Sequence, residues 1–245
     1  MPLKEEMERS GNWLFRRRSY LPLLLVLPIL MAMRQMDPQD YAYGLEQSWA
    51  LFCLALSFCG LGVRVFTIGY TPYGTSGRNT HEQVAEEVNT SGIYSLVRHP
   101  LYLGNFLIWL GVSMFFMTWW LPVMFTLIYW IYYERIMIAE EEFLRRKFGD
   151  AYVQWANKTP AFIPNPKLWQ RSTLPFSLRN VLKREYSGFF GIIAVFFVLE
   201  VAVQLVIEHE PIPLHWFVIF LSGLAVYFTL RTLKRKTTLL HVEGR

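Results

Sequence analysis

From Pro100 to Tyr133 the chain runs 34 residues without an Asp, Glu, Lys or Arg. A helix crosses the roughly 30 Å hydrocarbon core of a bilayer with about 20 apolar residues. The stretch is therefore too long for one span and fits a hairpin of two short ones. Its middle supplies the turn: Met117-Thr118-Trp119-Trp120-Leu121-Pro122 sets Trp at an interface and Pro at the start of the next helix. Four further uncharged windows are Ser19–Met33, Gln47–Val63, Tyr186–Leu199 (apolar beyond Glu200 to Ile207) and Ile212–Leu230. The spacing predicts about six transmembrane helices, near 20–36, 43–66, 101–117, 121–139, 187–207 and 212–231. The expected fold class is an all-α polytopic membrane protein, with 1–245 as a single integral membrane domain. Composition excludes the alternatives. With 53% hydrophobic residues and a net charge of only +5, the chain is not disordered. Its two cysteines, Cys53 and Cys59, share one apolar segment and build no disulfide scaffold.

Basic residues orient the spans. With the N-terminus inside, the outer loops fall near 34–42, 117–121 and 208–212, and of the 24 Lys and Arg only Arg34 lies there. Arg16-Arg17-Arg18, Arg145-Arg146-Lys147, Lys183-Arg184 and Lys234-Arg235-Lys236 all lie on the other side. The positive-inside rule gives N-in and C-in. The first window ends in Met-Arg-Gln without a small-residue cleavage site, so it reads as a retained anchor. Two long inner stretches, about 70–99 and 140–186, carry most of the polar chemistry. Within the second, Pro160, Pro164, Pro166 and Pro175 mark an irregular connection, and Leu178–Glu185 reads as a basic interfacial helix.

Two blocks there invite chemistry. In T90-S-G-I-Y-S-L-V-R-H-P-L-Y-L-G-N105, Pro100 suits the first position of a helix, which sets Arg98 and His99 at an anion-attracting N-terminus. In E140-E-E-F-L-R-R-K-F-G-D-A-Y152, three adjacent carboxylates at a membrane exit suit a cationic ligand such as an ammonium. The bland alternatives are a basic juxtamembrane flank for the first block and a solvated helix for the second. That helix would pair Glu141 with Arg145 and Glu142 with Arg146. Gly149 would cap it. Asn105 lies one turn into the third span, where a polar side chain calls for a partner, and Glu200 is an acid within the fifth. His81 reads as a solvated loop histidine, and Gly60 and Gly62 as close-packing positions. Five His and two Cys show no ligand spacing, so no metal is expected.

Together the blocks resemble the integral-membrane methyltransferase superfamily, over about residues 74–165: GIYSLVRHPLYLGN, then EE-x-x-L-x-x-x-FG-x-x-Y. That group includes isoprenylcysteine carboxyl methyltransferases, phospholipid N-methyltransferases and a bacterial branch acting on lipid A phosphate. The resemblance implies S-adenosyl-L-methionine as cofactor. It points to His99, Pro100, Leu101 and Tyr102 as the cofactor block, with Tyr94, Glu140 and Glu141 beside it. It also points to Val88 and Asn89 on the adenosine side, and to Gln83 upstream. On this reading residues 1–70 carry two spans, 71–170 the methyltransferase core and 171–245 two additional spans.

The acceptor is expected to be a lipid or lipidated substrate within the membrane, and no nucleic acid is expected as a partner. An anionic oxygen needs orientation and desolvation rather than a general base, and Arg98 and Arg135 are the expected catalytic cations. The Arg-rich loops favour a lipid phosphate such as that of lipid A, in a bacterial inner membrane with the cofactor site facing the cytoplasm. The alternatives are a prenylcysteine carboxyl O-methyltransferase and a phospholipid amine N-methyltransferase. A different class, scaffold or transporter, is disfavoured because the polar motifs cluster at one membrane face.

Overall fold

A computed structural model of the chain describes residues 2–36, 43–72 and 85–242. Gln83 and His81 fall outside the described residues. The fold is all-helical, and among the described residues the β pairing is one isolated bridge, Gly92 to Gln170. The helices are α1 (Leu3–Arg17), α2 (Val26–Met33), α3 (Tyr43–Tyr70), α4 (Pro100–Met114), α5 (Trp120–Phe148), α6 (Asp150–Ala156), α7 (Leu178–Val203) and α8 (Leu214–Lys236). Three are long and apolar enough to cross a membrane, at Glu46–Tyr70, Leu178–Ile207 and Leu214–Lys236; Leu23–Met33 and Pro100–Met114 are shorter apolar helices. The chain is an integral membrane protein.

The expected hairpin is present and asymmetric. The 15 residues of α4 rise only about 22 Å, whereas the 29 residues of α5 rise about 43 Å. Helix α5 therefore outruns its partner, and its charged end, Glu134–Phe148, extends past the start of α4. Phe125, Tyr129, Tyr133 and Ile136 bury along one face of α5 against Tyr102 and Phe106 of α4.

Helix α1 covers the protruding end of α5 and runs antiparallel to it. Lys4 meets Glu142, Arg146 meets Glu8, and the Tyr132 hydroxyl donates to the Leu14 carbonyl at 3.0 Å. Gly11 makes the contact possible: a Cβ there would collide with the Arg135 carbonyl. The expected Glu142–Arg146 pair is accordingly corrected, since Glu142 is taken by Lys4 and by Arg145 at 3.6 Å. The first span is not one helix either. A 3-10 stretch, Arg18–Leu25, separates α1 from α2, and Pro22 lies in it.

Helices α3 and α4 pack at glycines. A Cβ on Gly60 would lie 2.5 Å from the Gly104 carbonyl oxygen, so the backbones touch directly. Gly62, expected to act likewise, faces open space. Helix α7 packs on α3, and α8 packs on α7. At the opposite end from the motif blocks, the Gln47 amide donates to Glu200 at 2.8 Å and the Trp216 indole donates to Gln47 at 3.2 Å. Glu200 is buried, and this chain of contacts ties α3, α7 and α8 together.

Candidate functional site

The loop before α4 is held by the Pro-rich connection. Gly92 N–H donates to the Gln170 carbonyl at 2.9 Å, Arg98 N–H to Pro160 at 2.9 Å and His99 N–H to Ala161 at 3.3 Å. In return, Asn165 N–H donates to Leu96 at 3.0 Å, and Gln170 N–H to the Ser95 hydroxyl at 2.9 Å. Gly92 has φ +61°, a conformation that excludes most side chains. Residues 160–170 thus form the outer wall of the site. Val88 and Asn89 lie half-buried just upstream of this wall.

His99 caps α4, and Pro100 takes its first position as expected. His99 is buried between two carboxylates of α5: its Nε2 lies 2.9 Å from Glu141 and its Nδ1 3.6 Å from Glu140. The Arg98 guanidinium donates to the second Glu141 oxygen at 2.8 Å. Tyr152, from the FG-x-x-Y element on α6, is buried beside this pair. Tyr102 stacks beside the His99 ring, and its hydroxyl donates to Glu140 at 2.6 Å. Leu101 is half-buried at the same helix start. The two blocks, 40 residues apart in sequence, thus converge at the ends of neighbouring helices.

Charge explains the arrangement. Burial disfavours the imidazolium, but hydrogen bonds and attraction from Glu140 and Glu141 outweigh it and hold the His99 pKa above 6.5. Burial likewise disfavours charge on Glu141, and the His99 and Arg98 contacts outweigh that, lowering its pKa below 4.5. Burial, then the Glu140 charge, pushes Tyr94 upward, so it stays a neutral hydroxyl. The two carboxylates divide the work. Glu141 is held by both Arg98 and His99. Glu140 takes the Tyr102 hydroxyl and a longer contact to His99, with no arginine on it among the described residues.

The fold does not bring all expected residues here. Arg135 is exposed and makes no ion pair among the described residues. Five residues at 100° each put it about 140° around α5 from Glu140, so one face cannot carry both. Arg98 is held by Glu141 rather than presented outward as a lone cation. Its other side lines an open groove of about 590 Å³ with Asn157, Lys158, Thr159 and Asn165, which contains neither Glu140 nor Tyr102. Conversely, sequence reasoning passed over Arg64, the charge that closes the α3 window. Its Nε and Nη2 donate to the two Glu185 oxygens at 2.8 Å each, and its Nη1 donates to Asn105 at 2.8 Å.

The sequence profile of the phospholipid methyltransferase family matches residues 49–151, the stretch that contains both blocks. Both blocks fall in the part of the chain that resembles that family. Over 75 residues the chain is 39% identical to the protein-S-isoprenylcysteine O-methyltransferase of Schizosaccharomyces pombe, covering 31% of this chain and 32% of that one. Over 128 residues it is 30% identical to protein-S-isoprenylcysteine O-methyltransferase B of Arabidopsis thaliana, covering 49% and 63%. It is 33% identical over 119 residues to the cobalt-zinc-cadmium resistance protein CzcN of Cupriavidus metallidurans, covering 48% and 52%. The chain thus spans about a third to two thirds of the length of these relatives. No solved structure matches it.

Proposed function

We propose that the chain is an S-adenosylmethionine-dependent membrane methyltransferase that methylates a carboxylate oxygen of a lipid-linked acceptor, with its cofactor site on the cytoplasmic face. The observation that carries this reading is the pairing of Glu140, which takes the Tyr102 hydroxyl, with Glu141, which Arg98 and His99 both hold, inside the family-matched stretch. The donor set suits S-adenosylmethionine. Glu140 can take an ammonium, and Tyr94 and Tyr102 offer aromatic faces to a sulfonium and hydroxyls to a ribose. The bound cofactor supplies a methyl already activated on sulfur. The chain's part is then to position the partners and exclude water. A carboxylate oxygen carries no proton at neutral pH, so none of these residues has to act as a general base.

The lipid A phosphate expected from the Arg-rich loops has no support among the relatives. The isoprenylcysteine O-methyltransferase names favour the carboxyl alternative. The family description, phospholipid methyltransferase, keeps amine methylation as the second reading. Purified protein in nanodiscs, given methyl-labelled S-adenosylmethionine and an equimolar mixture of a farnesylated cysteine derivative, phosphatidylethanolamine and a lipid phosphate, separates them. The expected product is a base-labile methyl ester on the cysteine carboxyl. A base-stable methyl on the amine would replace this reading with the second.

A further inference from the structure

Arg64 forms the centre of a polar knot that the family-matched stretch cannot complete by itself. Its partner Glu185 stands on α7, 121 residues away, beyond residue 151. The Glu185 carboxylate is 4% exposed and grips Arg64 through both oxygens, while the Arg64 side chain keeps 19% exposure. Asn105, on α4, accepts from Arg64 and stands one helix turn from Tyr102. The Tyr133 ring lies 4.9 Å from Tyr102, the donor to Glu140. Tyr94 lies within electrostatic reach of Glu140, Arg184 and Arg64 alike. Gly104 leaves room for the Arg64 stem, since a Cβ there would stand 2.6 Å from Arg64 Cγ.

Position and valence set Arg64 apart from an ordinary helix-pinning pair. Asn105 lies five residues into α4 beyond Pro100, about 7 Å further toward the bilayer interior than the Glu140 end of the site. A guanidinium has five N–H donors. Among the described residues Arg64 spends three, two on Glu185 and one on Asn105, which leaves one hydrogen on each Nη. A buried ion pair kept only for stability gains little over an apolar pair of the same shape.

We propose that Arg64, held in place by Glu185 and Asn105 as positioning residues, binds the anionic oxygen of the lipid-linked acceptor on the membrane side of the cofactor site. The proposal rests on the methyl-transfer reading above. It assigns the helix pair beyond the matched stretch a part in acceptor recognition, through Glu185. The acceptor's tail then extends into the bilayer while its charged end meets the two remaining Nη hydrogens.

The test compares Arg64→Met/Glu185→Leu, Arg64→Lys and Glu185→Gln with wild type in nanodiscs. It follows thermal unfolding, S-adenosylmethionine binding by calorimetry, and kcat and KM for the farnesylated cysteine derivative. The double variant is expected to fold and to bind S-adenosylmethionine as wild type does, while acceptor kcat/KM falls by about a hundredfold. Arg64→Lys keeps the charge but loses the fork, and should raise acceptor KM about tenfold with cofactor affinity unchanged. Glu185→Gln should raise acceptor KM in the same direction. A folded double variant that keeps acceptor turnover would overturn the proposal and leave a structural pair. If the double variant does not fold, an unchanged acceptor KM in Arg64→Lys overturns it equally. Wild-type protein that binds no S-adenosylmethionine would instead refute the methyl-transfer reading, and the acceptor proposal with it.

Discussion

Removing the Glu141 carboxylate should damage the fold, and removing its neighbour Glu140 should not. In Glu141→Ala, Arg98 loses a 2.8 Å contact and buried His99 loses a 2.9 Å contact. Hydrogen bonds to charged groups contribute about 1.5–3 kcal/mol each, though bonds in one network do not add fully. The Glu141 side chain is 25% exposed, so solvent offsets part of the loss. The expected destabilisation is about 2–4 kcal/mol, toward the lower end of what breaking a buried pair costs. Glu140→Ala loses the Tyr102 hydroxyl contact and a longer one to His99, and should cost about 1 kcal/mol. Thermal unfolding of both variants in the same detergent, without added ligand, makes the comparison. Equal shifts, or a larger shift for Glu140→Ala, would refute the division of labour between the two carboxylates.

The same cluster predicts a pH window. His99 has a raised pKa, so its contribution is complete below pH 6.5 and is lost as pH rises through its folded value. Glu141 has a lowered pKa, so its contribution is complete above pH 4.5 and is lost as pH falls through its folded value. The thermal midpoint of wild type should therefore decline as pH rises above 6.5, and this limb should be absent in His99→Gln. Gly60→Ala drives a methyl to 2.5 Å from the Gly104 carbonyl and should cost about 1–3 kcal/mol by forcing α3 from α4, whereas Gly62→Ala should be neutral; chemical denaturation in mixed micelles measures both. A cysteine placed at Ser91 should react with a membrane-impermeant thiol reagent in inverted vesicles only, and labelling from the outside would reverse the orientation.

What sequence made legible was local. Uncharged windows mark α3, α4, α5, α7 and α8 because a bilayer demands a continuous apolar run, and Pro100 and Gly149 mark helix ends through their own backbone preferences. The Glu140–Tyr102–His99 convergence was legible because each block sits at the end of a helix and the two helices form one hairpin. Helix α1 was missed because its polar sequence makes sense only against the protruding end of α5, with Gly11 on the Arg135 carbonyl. Arg135 was misjudged because a distance along the chain was weighed without its angle around the helix. The Arg64–Glu185 fork left no local trace. Each residue looks like a charge at the end of an apolar run, and only the packing of α7 on α3 joins them.

The central claim is that Glu140 presents a carboxylate to a cationic ligand at the convergence of the two blocks. Calorimetric titration of S-adenosylmethionine into wild type and Glu140→Ala in nanodiscs tests it most directly, with thermal unfolding of the same samples as the control for folding. Wild type is expected to bind, and a folded Glu140→Ala to bind at least about 30-fold more weakly, equivalent to about 2 kcal/mol for a partly desolvated ammonium–carboxylate contact. Equal affinity in the two proteins would contradict it.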